Sequence, residues 1–347
     1  MMTMNMNNGR KPTGSSGVKP RLTDIAQQAG VSIATVSKVI NGRPDVSDST
    51  REHVESLLES VGYSKPLKAQ KTNNNIEIVF QKFDSIWGME LLQGACEAAR
   101  EHNCSVTIAE SGNRRSPSSA WVNGVLERRP LGVILVFSDL SKKERKLLSS
   151  RQIPYVILDP YGNPSVSTAS VRADNWTGGL TATRFLIRQG HKRIGIINGP
   201  RKMMCSKARY DGYCAALEES GIAVDSSLVR YGDFTVDSGR REALSLLSTR
   251  FRPSAVFAGS DLQAMGLYET ARRLHLRIPD DISVIGFDDI QASAFLGPAL
   301  TTIRQPMAEM ASQAASMLFA MHTGKKVSHE VVFPTRLVVR SSTVEHS

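Results

Sequence analysis

Carboxylates, one arginine and a few aromatic rings stand just after short apolar runs in this sequence, where their chemistry would converge. Asp159 follows the run 155–158, Phe137 and Ser138 close the run 131–137, and Asp288 with Asp289 ends the run 282–287. Ser260 and Asp261 follow 255–258, and Phe83, Asp84, Ser85 and Trp87 follow 76–80. Ser206 and Arg209 come after the Asn198-Gly199-Pro200 loop, with Asp233 and Phe234 further on. Carboxylates accept hydrogen bonds, a guanidinium donates them in a fork, and rings cover C–H faces. That set suits a neutral polyhydroxyl ligand. Any single one of these residues is equally well a loop cap or a core ring; the convergence carries the reading. Adjacent Asp288 and Asp289 invite a hydrolase reading. However, the chain has no P-loop, no G-x-S-x-G, no H-E-x-x-H and no G-x-G-x-x-G. Its seven histidines are scattered, so no metal site, no cofactor and no catalysis are expected.

The elements that must position these residues alternate. The apolar runs 76–80, 131–137, 155–158, 194–197, 255–258 and 282–287 are separated by amphipathic stretches near 88–103, 141–150, 178–190, 207–220, 237–250, 261–275 and 306–323. Strand-length runs alternating with helix-length stretches predict parallel sheets covered by helices. Ligands bind such sheets at the carboxyl ends of the strands. Some 270 residues is long for one sheet, so two lobes are expected.

The stretch before residue 64 has a different texture. Ile25, Ala26 and Ala29 fall on one helical face, Gly30 suits a left-handed stop, and Ser32 suits the next N-cap. Val36, Val39 and Ile40 repeat the helical spacing. A third helix starts near 47–49, with Ser49 and Glu52 as a capping box and Val54, Leu57, Leu58 and Val61 as its apolar face. Two short helices, a glycine turn and a closing helix make a helix-turn-helix, whose second helix reads the DNA major groove. Ile33, Ala34, Thr35, Ser37 and Lys38 point away from the apolar face and are the predicted contacts, with Asn41 at the end of the same segment. Small and apolar side chains suit thymine methyls; a lysine suits guanine acceptors or phosphate.

The 347 residues carry 43 Lys+Arg against 33 Asp+Glu, a net charge of +10, which is compatible with a polyanionic partner. Residues 1–72 hold ten of those basic side chains and six of the acidic ones. Four cysteines without a CxxC pair fit a reducing compartment, and neither a signal peptide nor a membrane-length apolar run is found, so a cytoplasmic protein is expected. The boundaries expected are a disordered tail 1–20, a helix-turn-helix domain 21–63, a linker or hinge 64–75, and a two-lobed effector-binding and dimerisation domain 76–347.

The segment DIAQQAGVSIATVSKVIN (24–41) resembles the N-terminal signature of the LacI/GalR family of bacterial transcription regulators, with Lys38 where arginine is common. VSDSTREHVESLLESVGY (46–63) resembles the family's next segment. The likeness continues through Arg209-Tyr-Asp-Gly-Tyr213, Ser260-Asp-Leu-Gln-Ala-Met-Gly266, Val284-Ile-Gly-Phe-Asp-Asp289 and Leu300-Thr-Thr-Ile-Arg-Gln-Pro306, so it covers about residues 21–340. It departs at 63–73, where the family's hinge-helix proline is displaced by one, the following asparagine is missing, and Leu67 is the only candidate for a minor-groove wedge. The resemblance implies an α/β fold: a small all-α helix-turn-helix head, then a two-lobed periplasmic-binding-protein-like core of doubly wound parallel sheets. It implies a repressor that binds a palindromic operator as a homodimer under control of a mono- or oligosaccharide. By the same resemblance Arg209 and Asp288 bind sugar hydroxyls, Asp159 and Ser138 line the effector pocket, Trp87 and Phe234 stack on the ligand, and Asp261 lies near the inter-lobe cleft. A sugar-binding protein without regulatory DNA binding is the alternative.

Overall fold

The computed structural model describes residues 21–40, 45–61, 73–83, 86–112, 117–165 and 167–346. They fall into two units, Met1–Lys71 and Thr72–Ser347. The altered hinge stretch, with Leu67, lies outside the described residues.

The first unit is three helices: α1 Leu22–Ala29, α2 Ile33–Ile40 and α3 Asp48–Ser60. Helix α1 stops where Gly30 turns left-handed (φ 63°, ψ 29°), a conformation glycine adopts without strain. Ser32 then caps α2, its Oγ accepting from the Thr35 backbone N–H at 3.1 Å. The cap of α3 differs from expectation. Ser47, not Ser49, accepts from a backbone N–H, that of Thr50 at 3.4 Å, because the helix already begins at Asp48. Ile25, Ala26, Ala29, Val36, Val39, Val46 and Val54 close the core, with Leu57, Leu58 and Val61 packed on it.

The second unit carries two six-stranded sheets. Lobe 1 contains β1 Asn75–Phe80, β2 Ser105–Glu110, β3 Gly132–Val136, β4 Tyr155–Leu158, β5 Ser170–Ala173 and, much later in the chain, β11 Glu330–Phe333. Its order is β11-β5-β4-β3-β1-β2, parallel throughout. Lobe 2 contains β6 Ile194–Asn198, β7 Val229–Tyr231, β8 Ala255–Ala258, β9 Ser283–Asp288, β10 Thr301–Arg304 and β12 Arg336–Val338, in the order β12-β10-β9-β8-β6-β7. Only β12 runs antiparallel there. Central strands β3, β8 and β9 are buried along their whole length, which is why they read as unbroken apolar runs.

Helices α4 Ile86–Glu101, α5 Ser119–Arg128, α6 Lys142–Ser150 and α11 Met307–His322 cover lobe 1. Helices α7 Asn175–Arg188, α8 Met204–Glu219, α9 Val236–Leu247 and α10 Asp261–Arg273 cover lobe 2. Among the described residues the chain passes between the lobes three times: at Asp174, at Gln305–Pro306 and at 334–335. The first and third passages are tied together. The Asp174 backbone N–H donates to the Phe333 carbonyl (2.8 Å), and Thr335 Oγ1 donates to the Asp174 carbonyl (3.2 Å). No helix of the described residues is long and apolar enough to cross a membrane.

Helix α11 supplies Met307, Met310, Ala311, Ala314, Ala315, Leu318 and Phe319 to the core of lobe 1. It approaches α4 so closely that a Cβ at Gly94 would run into the Ala308 backbone carbonyl. Gly94→Ala is therefore expected to cost on the order of 2–3 kcal/mol in urea unfolding, since backbone on one side leaves little room to relax.

Candidate functional site

In the first unit, the face of α2 opposite Val36 and Val39 is the exposed one. Ile33 is 49% exposed, and Ala34 and Lys38 are exposed beside it. Thr35 and Ser37 are partly exposed. Thr35 Oγ1 lies 2.9 Å from Ser32 Oγ, and Lys38 Nζ lies 2.7 Å from Asp45 Oδ2. Asn41 lies outside the described residues.

In the second unit, the carboxyl ends of both sheets meet at a cleft, and several side chains there sit on strained backbone. Phe137 (φ 51°) and Asp159 (φ 52°) close β3 and β4; Phe234 (φ 66°), Asp288 (φ 120°) and Asp289 (φ 59°) do so in lobe 2. Non-glycine residues rarely hold such angles without over-determining contacts, and they gather at binding sites.

Arg209, on the second turn of α8, is the centre of this cleft. Its guanidinium is only 3% exposed and lies over the Phe287 ring at 3.7 Å, with Phe234 at 5.4 Å. Nε donates to Asn175 Oδ1 (2.8 Å), and Nη1 donates to the Gly259 carbonyl. The same Nη1 is 3.9 Å from Asp288 Oδ1, which also accepts from Gln305 Nε2 at 2.6 Å. Burial raises the Asp288 carboxyl well above the usual range; the Arg209 charge pulls it back, while Asp261 and Asp159 push it further up.

Asp159 faces this group from lobe 1. It is 1% exposed and lies beside the Asn175 side chain, whose hydrogen bond favours the charged carboxylate. Burial pushes its pKa to about 6 against the pull of Arg209 and Arg172. The buried Ser206 hydroxyl, in the first turn of α8, lies beside the buried Cys205 thiol. Trp87 stacks on Phe137 (4.8 Å between centroids, 18° between planes) and forms an aromatic wall on the lobe 1 side. Ser138 is fully buried, its hydroxyl donating to the Val136 carbonyl at 3.0 Å.

Asp261 stands apart from this group. Its carboxylate accepts from Ser293 Oγ (2.5 Å), Thr302 Oγ1 (2.6 Å) and the Ile290 N–H (3.1 Å), all within lobe 2. Burial nonetheless pushes it to about 7. Its oxygens fix the turn after β9 rather than standing open to the cleft. Asp289 is also engaged: Arg304 donates to one oxygen and Arg340 to the other (2.6 Å). The adjacent aspartates therefore separate, one toward the cleft and one into an ion-pair network, so they do not form a catalytic pair. Among the described residues no three His, Cys, Asp or Glu side chains come together as a metal site. The lobes touch where Glu90 accepts from the Gln291 N–H (3.1 Å) and where the Met204 N–H donates to the Tyr161 carbonyl (2.8 Å).

Residues 21–65 match the family described as bacterial regulatory proteins, lacI family, and residues 183–343 match a periplasmic binding protein-like domain. Over 328 residues the chain is 32% identical to the HTH-type transcriptional repressor CytR of Escherichia coli (strain K12), covering 93% of this chain and 96% of the relative. The chain belongs to the LacI family. As a LacI-family protein it is a DNA-binding transcriptional regulator. It is also similar to the transcriptional regulator CelR solved as a cellobiose complex (31% identity, TM-score 0.71, 93% of this chain and 99% of that one). A further LacI-family likeness is the lac repressor dimer bound to operator and the anti-inducer ONPF (25% identity, TM-score 0.67, 94% and 100%).

Within this LacI-family cleft, sequence reasoning missed Asn175, Phe287 and Gln305. Gln305 and Phe287 stand in the quoted motifs and Asn175 in none of them, but only the fold brings Asn175 to Arg209 and Gln305 to Asp288. Phe287, inside an apolar run, reads as plain core.

The state of Asp159 gives a pH dependence. An acid whose folded pKa, about 6, exceeds its ordinary 3.8 binds its proton more tightly in the folded state. Stability is then greatest below about pH 4 and is lost as pH rises through about 6. Asp159→Asn should remove that loss. In urea unfolding without added ligand, the variant should be more stable than wild type at about pH 7.5, by up to about 3 kcal/mol, and the gap should close toward pH 4. A gap that does not change with pH would assign the effect to another group.

Proposed function

We propose that this regulator is a repressor that acts in the cytoplasm, binds a palindromic operator as a homodimer, and is controlled by a mono- or oligosaccharide held between its two lobes. Its output is operator occupancy, without a catalytic step. The observation that carries the ligand class is the Arg209 group. A rigid fork of donors lies on an aromatic face, with the buried Asp288 beside it and the buried Asp159 carboxylate facing it from the other lobe. Sugar hydroxyls donate to the carboxylates and accept from the guanidinium, while C–H faces pack on rings. The cellobiose in the CelR complex supports this class of ligand, and the operator-bound lac repressor dimer supports the assembly.

One reading head makes too few base contacts to find one site in a genome; two heads on a two-fold axis double the contacts and fix the half-site spacing. The ligand acts through its different affinity for the two lobe arrangements, and DNA affinity and ligand affinity are then linked. The alternative, a sugar-binding protein without regulatory DNA binding, gives no reason for a helix-turn-helix head that matches the lacI family.

The deciding experiment is footprinting of the full chain on the intergenic DNA upstream of its own gene, with and without a panel of mono- and disaccharides. A protected palindrome released by one sugar identifies an inducible repressor; protection that requires a sugar identifies a co-repressor system; no protection under any condition favours the alternative. Lys38→Ala should weaken operator binding at least about tenfold while leaving sugar binding intact, the scale of one lost base or phosphate contact. Arg209→Ala should retain operator binding and lose the sugar response; a normal response would remove Arg209 from the ligand site.

A further inference from the structure

Lys38 is the only charged side chain in α2, and it does not stand alone. Its ammonium lies 2.7 Å from Asp45, which follows α2 in the chain and precedes α3. Both side chains are about half exposed, at 49% and 55%. We infer that Asp45 is a specificity-determining residue of the reading head, holding Lys38 so that it does not bind phosphate indiscriminately. This rests on the reading that α2 contacts DNA.

The reasoning is electrostatic. Affinity for random DNA comes almost wholly from cations that displace counterions from phosphates. A lysine neutralised by its own carboxylate displaces none, and the carboxylate is itself repelled by the backbone. An exposed pair of this kind is worth no more than about 1 kcal/mol. It is therefore weak enough to be exchanged for the paired acceptors of a guanine edge, but strong enough to discount a lone phosphate. A lysine also has three donors, so it can keep Asp45 on one while presenting another to a base. Arginine, common in the family at this position, would offer a broader fork to both. The pair thus lowers binding to random sequence more than binding to the correct one.

The test needs no knowledge of the operator. Binding of the full chain to a random-sequence duplex without palindromes is followed by anisotropy, across salt from about 50 to about 300 mM, where each phosphate neutralised adds about 0.9 to the log–log slope. Asp45→Asn should tighten random-duplex binding about threefold to fivefold for each engaged head near 100 mM salt and steepen the slope by about 0.9 per head, about 1.8 for the dimer. In a Lys38→Ala background the same substitution should leave the slope unchanged, and Asp45→Glu should keep the wild-type slope. Asp45→Ser serves as a second variant should the asparagine variant lose helicity. Unchanged affinity and slope in both Asp45→Asn and Asp45→Ser overturn the inference. Equal steepening with Lys38 removed also overturns it, making Asp45 an ordinary repulsive surface charge. Wild-type protein that binds no duplex even at about 50 mM salt overturns the DNA-binding reading itself, and this inference with it.

Discussion

The Arg209 guanidinium lies where almost no water reaches it. Such a charge is tolerated only with acceptors on several sides, and the architecture around Arg209 answers that demand. Asn175 comes from the start of α7, the Gly259 carbonyl from the end of β8, Asp288 from the end of β9, and the Phe287 ring closes one face. Bringing the start of α7 to α8 requires their backbones to come close. A Cβ at Gly179 would strike the Arg209 backbone carbonyl, and one at Gly212 the Trp176 carbonyl. The glycines of α7 and α8 are thus part of the cleft's chemistry, although none of them lines it.

Arg209 and Asp288 connect the cleft to one of the passages between the lobes. Gln305 stands on one of the passages between lobes. Its backbone N–H donates to the Asp288 carbonyl (3.2 Å) and its side chain to Asp288 Oδ1 (2.6 Å). The neighbouring Arg304 holds Asp289. Asp288 is thus tied directly to a passage between the lobes, without a long relay. Across the cleft, Asp159 is on lobe 1, and Glu90 joins that lobe to the Gln291 N–H of lobe 2.

Much of this was legible in the sequence, for physical reasons that can be named. Central strands of parallel sheets are buried on both faces, so β1, β3, β4, β6, β8 and β9 appear as apolar runs. Edge strand β2 is partly exposed along its length, and β10 buries Thr301 and Thr302 instead of aliphatic side chains, so neither announces itself. Helix α5 has a clear stripe in Trp121, Val122, Val125 and Leu126 but was not among the expected helices. Arg209, Asp159 and Asp288 are marked in the sequence by a family motif or a strand end, and the fold brings them to one cleft. The partners of Asp261 were not, because Ser293 and Thr302 reach it from later parts of the chain. The hold of Asp45 on Lys38 is equally a matter of tertiary placement.

The order in which the elements are joined has a consequence for biosynthesis. Lobe 1 begins at Asn75, yet the helix that fills its core ends at His322 and its outer strand runs from Glu330 to Phe333. A ribosome releasing this chain from the amino end exposes the apolar faces of β1, β3 and β4 long before α11 emerges to cover them. Lobe 2 has nearly all its strands by then and lacks only β12. The lobe translated first is thus the one completed late, and its unfilled core is a surface that chaperones would meet during synthesis.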